Sequence, residues 1–216
     1  MQAAFLASNL LNFSFLPKFW PLFVQGIKYT LLLSASAVLV AIVPALALAL
    51  MRLSSSRVLR GLSGGYIALF RSTPMLVQLY IIYFGVFGAI SLPNTKLFGF
   101  INLAMFIPGI VALGLNSAAY VAEIFRAGIL AVDIGQTEAA HSLGLSRWQT
   151  LRFVVLPQAI KNVLPTLANE LVTMIKESSV CGVAVGTQEI MWASKAVAGT
   201  THLTISPYLL AAVIYF

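Results

Sequence analysis

Several side chains in this sequence that can do chemistry lie inside runs of apolar residues, where few polar groups belong. Asn116, Tyr120 and Glu123 recur at i, i+4 and i+7 and so share one face of a helix, with Ser117 beside them. Asn169, Glu170, Thr173, Lys176 and Glu177 show similar spacing further along, and Arg71 stands just before Pro74 in another apolar run. This chemistry allows two roles. The groups can neutralise one another: Glu123 reaches Arg126 at i+3, and Glu170 or Glu177 reaches Lys176 or a neighbouring helix. Alternatively they line a wet path and hold a polar solute, with Glu170 as acceptor and Lys176 or Arg71 as donor. Arg71 serves equally well as a packing group beside Pro74, and the sequence leaves these alternatives open.

Other chemistries find no residues to carry them. No paired Asp, His/Glu metal cluster or Ser–His arrangement sits in the apolar runs, so no catalytic residue and no metal site is named. His141 and His202 lie far apart, the first as a surface group of a polar loop and the second without a specific role. Cys181 is the only cysteine, which excludes an intramolecular disulfide and suits a small buried side chain. A Gly-x-x-x-x-Gly-Lys-[Ser/Thr] phosphate loop is absent, so ATP, if used, is handled by another polypeptide.

The elements that must position these residues are membrane helices. Of 216 residues, 60% are hydrophobic and 9% charged, with a mean hydropathy of +0.95, far more apolar than a water-soluble domain. The formal net charge of +7 does not point to nucleic acid, because the basic residues flank apolar runs instead of forming a stripe. Crossing the hydrocarbon core takes about 20 residues. The expected spans are Leu22 to Met51, Leu62 to Ile90, Ile101 to Leu130, Val163 to Val185, and a fifth from Ser206 that is still apolar at Phe216. Those last residues make only about 17 Å of helix, so the chain is expected to end inside its fifth helix. Pro44, Pro74 and Pro108 fall within the runs, as membrane helices tolerate.

Arg52, Arg57 and Arg60 follow the first span, and Arg126, Arg147, Arg152 and Lys161 flank or fill the connection after the third. Both connections are therefore expected in the cytoplasm, with the N-terminus outside. Residues 1–21 read as a periplasmic or interfacial lead-in, not a cleaved signal peptide, since no basic residue precedes Lys18. Gly186 to His202 is polar yet keeps Ile190, Met191, Trp192 and Val197, which suggests a short interfacial helix or re-entrant turn on the outer side.

The longest stretch of soluble character runs from Asp133 to Arg152. Thr137 to Ala140 should start a short helix that Gly144 ends, and Ser146 can cap a second helix from Arg147. Two short helices broken at a glycine make a knob. Alone, such a knob reads either as a solvated connector or as a docking surface, with Ala139 and Ala140 leaving a low profile and Glu138 offering a charge.

Glu138-Ala139-Ala140, Gly144, and then Val154 with Leu156-Pro157 resemble the EAA loop of ABC importer permeases, Val154 standing where Ile is usual. The segments at Gly26 to Leu31, Arg71 to Gln78, Asn116 to Ile129 and Lys176 to Ser179 are similar to the polar amino-acid branch of that family. The resemblance implies an all-α membrane protein with the type I ABC importer transmembrane domain over residues 26–216. It has five helices, the last cut short in this chain, and the coupling loop at about 131–157. It implies ATPase-coupling residues Glu138, Ala139, Ala140, Gly144, Arg147 and Pro157, and a polar amino acid as cargo; the hypothesis for its path, drawn from the polar residues of the apolar runs, is Arg71, Asn116, Tyr120, Glu123, Glu170, Thr173 and Lys176. The implied partners are a cytoplasmic ABC ATPase dimer, which would hold ATP and Mg, an extracytoplasmic solute-binding protein and a second permease copy or paralogue. The implied location is multi-pass in the bacterial cytoplasmic (inner) membrane. The competing reading, a secondary transporter or channel, lacks an internal repeat and leaves Glu138 to Pro157 unexplained.

Overall fold

The computed structural model describes residues 11–90 and 92–216. Its first helix, α1, runs Leu16–Leu53, starting before the hydropathy pattern predicts. Pro17 sits in the first turn, where a missing N–H breaks no helical bond, and the Phe19 N–H already bonds the Phe15 carbonyl at 3.0 Å. The later part of the expected lead-in is thus helical, while residues 1–10 lie outside the described residues.

The second expected span is not one helix. It divides into α2 (Arg57–Ser72) and α3 (Met75–Tyr80), followed by a π-helical turn Ile81–Val86 and a 3-10 turn Phe87–Ala89. The break falls at Thr73, whose φ of −104° and ψ of 140° are extended. A residue before proline is pushed out of the helical region, and that local steric clash outweighs the apolar run. The Ser72 and Thr73 hydroxyls donate back to the Ala68 and Leu69 carbonyls at 2.6 and 2.8 Å, satisfying acceptors that the break frees.

A two-residue antiparallel pair that the sequence did not suggest, β1 (Lys96–Leu97) with β2 (Ile101–Asn102), turns through Phe98 and Gly99 at positive φ. Then come α4 (Leu103–Leu130), α5 (Ile134–Ser142) and α6 (Arg147–Thr150). A π-helical turn, Leu151–Val155, leads into α7 (Leu156–Val185), and α8 (Ile190–Thr201) and α9 (Ser206–Tyr215) complete the order. In that second π turn the Leu156 N–H reaches the Leu151 carbonyl, one residue further back than in an α-helix.

Contacts divide the chain into two units. The first takes residues up to Ala37, Met75–Leu113 and Met174–Phe216, and the second takes Val38–Pro74 and Gly114–Thr173. The second unit packs on small side chains: Ala41, Ala45, Ala118, Ala119 and Ala122 are buried together with Ile67 and Val121. Small residues let helix backbones approach closely, the usual basis of packing in lipid. Gly128 marks one such approach, since a Cβ there would overlap Val163 and stand 3.3 Å from the Ala159 carbonyl oxygen. Leu39, Val43, Leu46 and Leu50 keep the other side of α1 bulky and exposed. Hydroxyl bonds from Ser63 to the Leu48 carbonyl and from Tyr66 to the Leu115 carbonyl, both 2.8 Å, tie α2 to α1 and α4. In the first unit, Phe15, Phe23, Ala193, Val197 and Leu203 form the core against which Trp192, Leu210 and Ile214 pack.

Candidate functional site

The polar residues of the apolar runs meet in the second unit. A cavity of about 540 Å³ is walled by Arg71, Tyr120, Glu123, Asn162, Thr166 and Glu170, with apolar surface from Ile124, Ala127, Gly128 and Ala131. That volume falls in the range of small-molecule sites. Its two carboxylates are held differently. Glu123 takes Arg126 at i+3, with Oε2 2.9 Å from Nε and 2.8 Å from the second guanidinium nitrogen, while Oε1 lies 3.9 Å from Arg52. Glu170 is 8% exposed and accepts from the Ser117 hydroxyl at 2.9 Å. Glu123 is therefore committed to arginines, whereas Glu170 makes no ion pair among the described residues.

Arg71 makes no ion pair among the described residues. Its guanidinium lies 5.2 Å from the Tyr120 ring centroid, a cation–π contact that orients the fork without neutralising it. A second cavity of about 560 Å³ shares Arg71 and Glu123 and adds Arg52, Gly64 and Ser72. The structure thus brings Arg71, Tyr120, Glu123 and Glu170 together. It leaves Asn116, Thr173 and Lys176 out of the cavity wall. The buried Asn116 amide donates to the Phe70 carbonyl at 3.5 Å, the Thr173 hydroxyl turns back to the Asn169 carbonyl, and Lys176 is exposed and belongs to the first unit. Asn162 and Thr166 were not singled out, although their i, i+4 spacing on α7 was available to find them. Arg52 was taken only as a topology marker, and no local spacing connects it to Glu123.

The loop between α4 and α7 folds as a knob built on caps. Asp133 starts α5 earlier than expected, its side chain accepting the Gly135 N–H at 2.6 Å. Glu138 and Ala139 are exposed on that helix, whereas Ala140 is buried at 3% and turns into the knob. Gly144 has φ +80°, the left-handed conformation that ends a helix and favours glycine. Ser146 and Gln149 form a reciprocal capping box at the start of α6, beside exposed Arg147. Trp148 and Phe153 project at 64% and 66% exposure, and Pro157 lies exposed in the first turn of α7.

Long apolar helices lining a charged cavity, with a capped knob projecting from one connection, fit a membrane-embedded transport subunit. Residues 37–216 match the family of binding-protein-dependent transport system inner membrane components, and the chain belongs to that family. A Rickettsia conorii protein bearing the name of a glutamine transport system permease is 39% identical over 207 residues, spanning 94% of this chain and 90% of that one. An arginine transport system permease of Bacillus subtilis is 36% identical over 196 residues, spanning 91% and 85%. A solved amino acid ABC transporter with histidines superposes with a TM-score of 0.83 at 41% identity, covering 95% of this chain and 91% of the other. The fold is accordingly that of type I ABC importer permeases, which are transport components and not enzymes.

Proposed function

We propose that this chain is the permease subunit of an ABC importer that carries a polar amino acid across the bacterial cytoplasmic membrane. The observation that carries the reading is the cavity, which offers a guanidinium and a carboxylate, Arg71 and Glu170, that make no ion pair among the described residues. An α-amino acid brings one carboxylate and one ammonium, and Arg71 and Glu170 supply the complementary donor and acceptor. The names of the similar proteins, which concern glutamine, arginine and histidines, share only that backbone zwitterion.

In this reading the knob α5–α6 docks into a cytoplasmic ABC ATPase dimer, which binds ATP and Mg. Glu138, Ala139, Gly144, Arg147 and Pro157 lie at or beside that contact, and Ala140 supports it from within. A solute-binding protein delivers cargo from outside, and a second permease copy or paralogue completes the path. In this reading the arginines at the foot of α1 and around the knob favour both connections inside and an outer N-terminus, with five crossings as the expected count.

The test is uptake by the complex purified with its membrane neighbours and reconstituted in liposomes. Glu170→Gln, with ATPase co-purification as the assembly control, is expected to lower uptake at least tenfold. Unchanged uptake would overturn the role of Glu170, and failure of any ATPase to co-purify would overturn the importer reading.

A further inference from the structure

Glu189 carries out a task that neither the cavity nor the knob explains. It is completely buried, and no ion pair to it is present among the described residues. An isolated carboxylate is expensive to bury, so its bonds must justify it. As the residue before α8 it accepts the Met191 N–H on Oε2 at 2.9 Å and the Trp192 N–H on Oε1 at 2.7 Å. The Tyr215 hydroxyl of α9 donates to the same Oε2. On a third side the carboxylate lies against Gly182 of α7, where any Cβ would overlap it. Its backbone rests on α1, since a Cβ on Gly26 would stand 3.2 Å from the Glu189 carbonyl group. Around this junction, the Thr30 hydroxyl accepts the Ile190 N–H at 3.4 Å, and the Gln25 amide donates to Gln188 at 3.4 Å. One residue therefore braces the start of α8, its side chain against α7 and α9 and its backbone against α1, all within the first unit.

An ordinary helix cap needs none of this. A Ser or Asp cap works at the surface, as Asp133 and Ser146 do here, without burial or a tyrosine donor. The junction also lies in the part of the chain that does not contain the knob.

We infer that Glu189 is a positioning residue of the transport cycle, clamping α8 to α1, α7 and α9 so that work delivered to these helices moves cargo instead of being absorbed at the junction. The inference rests on the transport reading above. It is tested in the complete complex in liposomes, by measuring amino acid moved per ATP hydrolysed. Gly182→Ala, which evicts the carboxylate without altering its charge, and Glu189→Ala are expected to lower that ratio at least fivefold, with ATP hydrolysis within twofold of the unsubstituted complex. Tyr215→Phe, which removes one donor, is expected to lower it two- to threefold. Glu189→Gln keeps an oxygen for one of the two α8 amides and should recover part of the ratio lost in Glu189→Ala.

An unchanged ratio in both Tyr215→Phe and Gly182→Ala would overturn the inference, even if Glu189→Ala fails to assemble. Uptake and hydrolysis falling in parallel across the series would also overturn it, because that is what a merely structural brace produces. Absence of ATP-coupled uptake by the unsubstituted complex would overturn the transport reading itself, and this inference with it.

Discussion

Arg71 is the side chain on which cargo recognition turns in the proposed reading. A hydrogen bond to a charged group is worth about 1.5–3 kcal/mol, so losing the guanidinium costs roughly 10- to 150-fold in uptake affinity. Arg71→Ala is expected to raise the apparent KM for uptake by that range while leaving ATPase co-purification unchanged. Arg71→Lys keeps the charge but loses the planar fork and most of the stacking on Tyr120, so it should fall between the two. Equal KM values for all three proteins would remove Arg71 from the site. At this scale the sequence was legible where spacing alone decided the matter: Tyr120 and Glu123 face the cavity together, and Glu123 meets Arg126 as their i+3 separation requires. Lys176 stands outside the cavity wall, because six residues past Glu170 a helix has turned about two-thirds of a revolution away from the starting face. Glu189 was passed over as one polar group in a mixed stretch, since only tertiary contacts with Gly182 and Tyr215 give it meaning.

Among the elements, the knob was the most readable, because helix ends are written in local chemistry. Gly144 and Ser146 were identified as stop and cap, and both act so. The start of α5 was placed too late because Asp133 was read as part of the connection and not as a cap. The break between α2 and α3 was missed for a related reason: apolar composition counts length, while Pro74 acts on the φ and ψ of Thr73. Holding a side-chain-bearing residue in the left-handed region costs about 1–2 kcal/mol. Gly144→Ala is thus expected to weaken ATPase binding to the purified complex roughly 5- to 30-fold. Amino acid binding to the cavity should be retained. Loss of both together would show that the knob and the cavity are not separable, against the division of labour proposed here.

For the whole molecule, the proposed orientation yields a labelling experiment that Cys181 leaves undisturbed, because that thiol is fully buried. Ser55→Cys, in the exposed turn between α1 and α2, is expected to stay unlabelled by a membrane-impermeant maleimide added to intact cells. Thr95→Cys, in the exposed connection before β1, should label readily. The reverse pattern would invert the topology. Composition made the membrane legible because solvation is a bulk property, summed over every residue. What composition could not supply is the division into two contact units, whose boundaries fall within the unbroken helices α1, α4 and α7 and at the break between α2 and α3.

The π-helical turn Leu151–Val155 has a consequence for how this chain can change over evolution. An α-helix entered through a π turn carries a spare residue in its hydrogen-bond ladder. Removing one residue there restores ordinary α geometry and leaves the helix continuous with little net rotation, because the wider turn already absorbs the spare residue. A lineage can therefore lose one residue here and keep the knob's facing relative to α7. Elsewhere along α7 the same deletion would throw every buried side chain out of register.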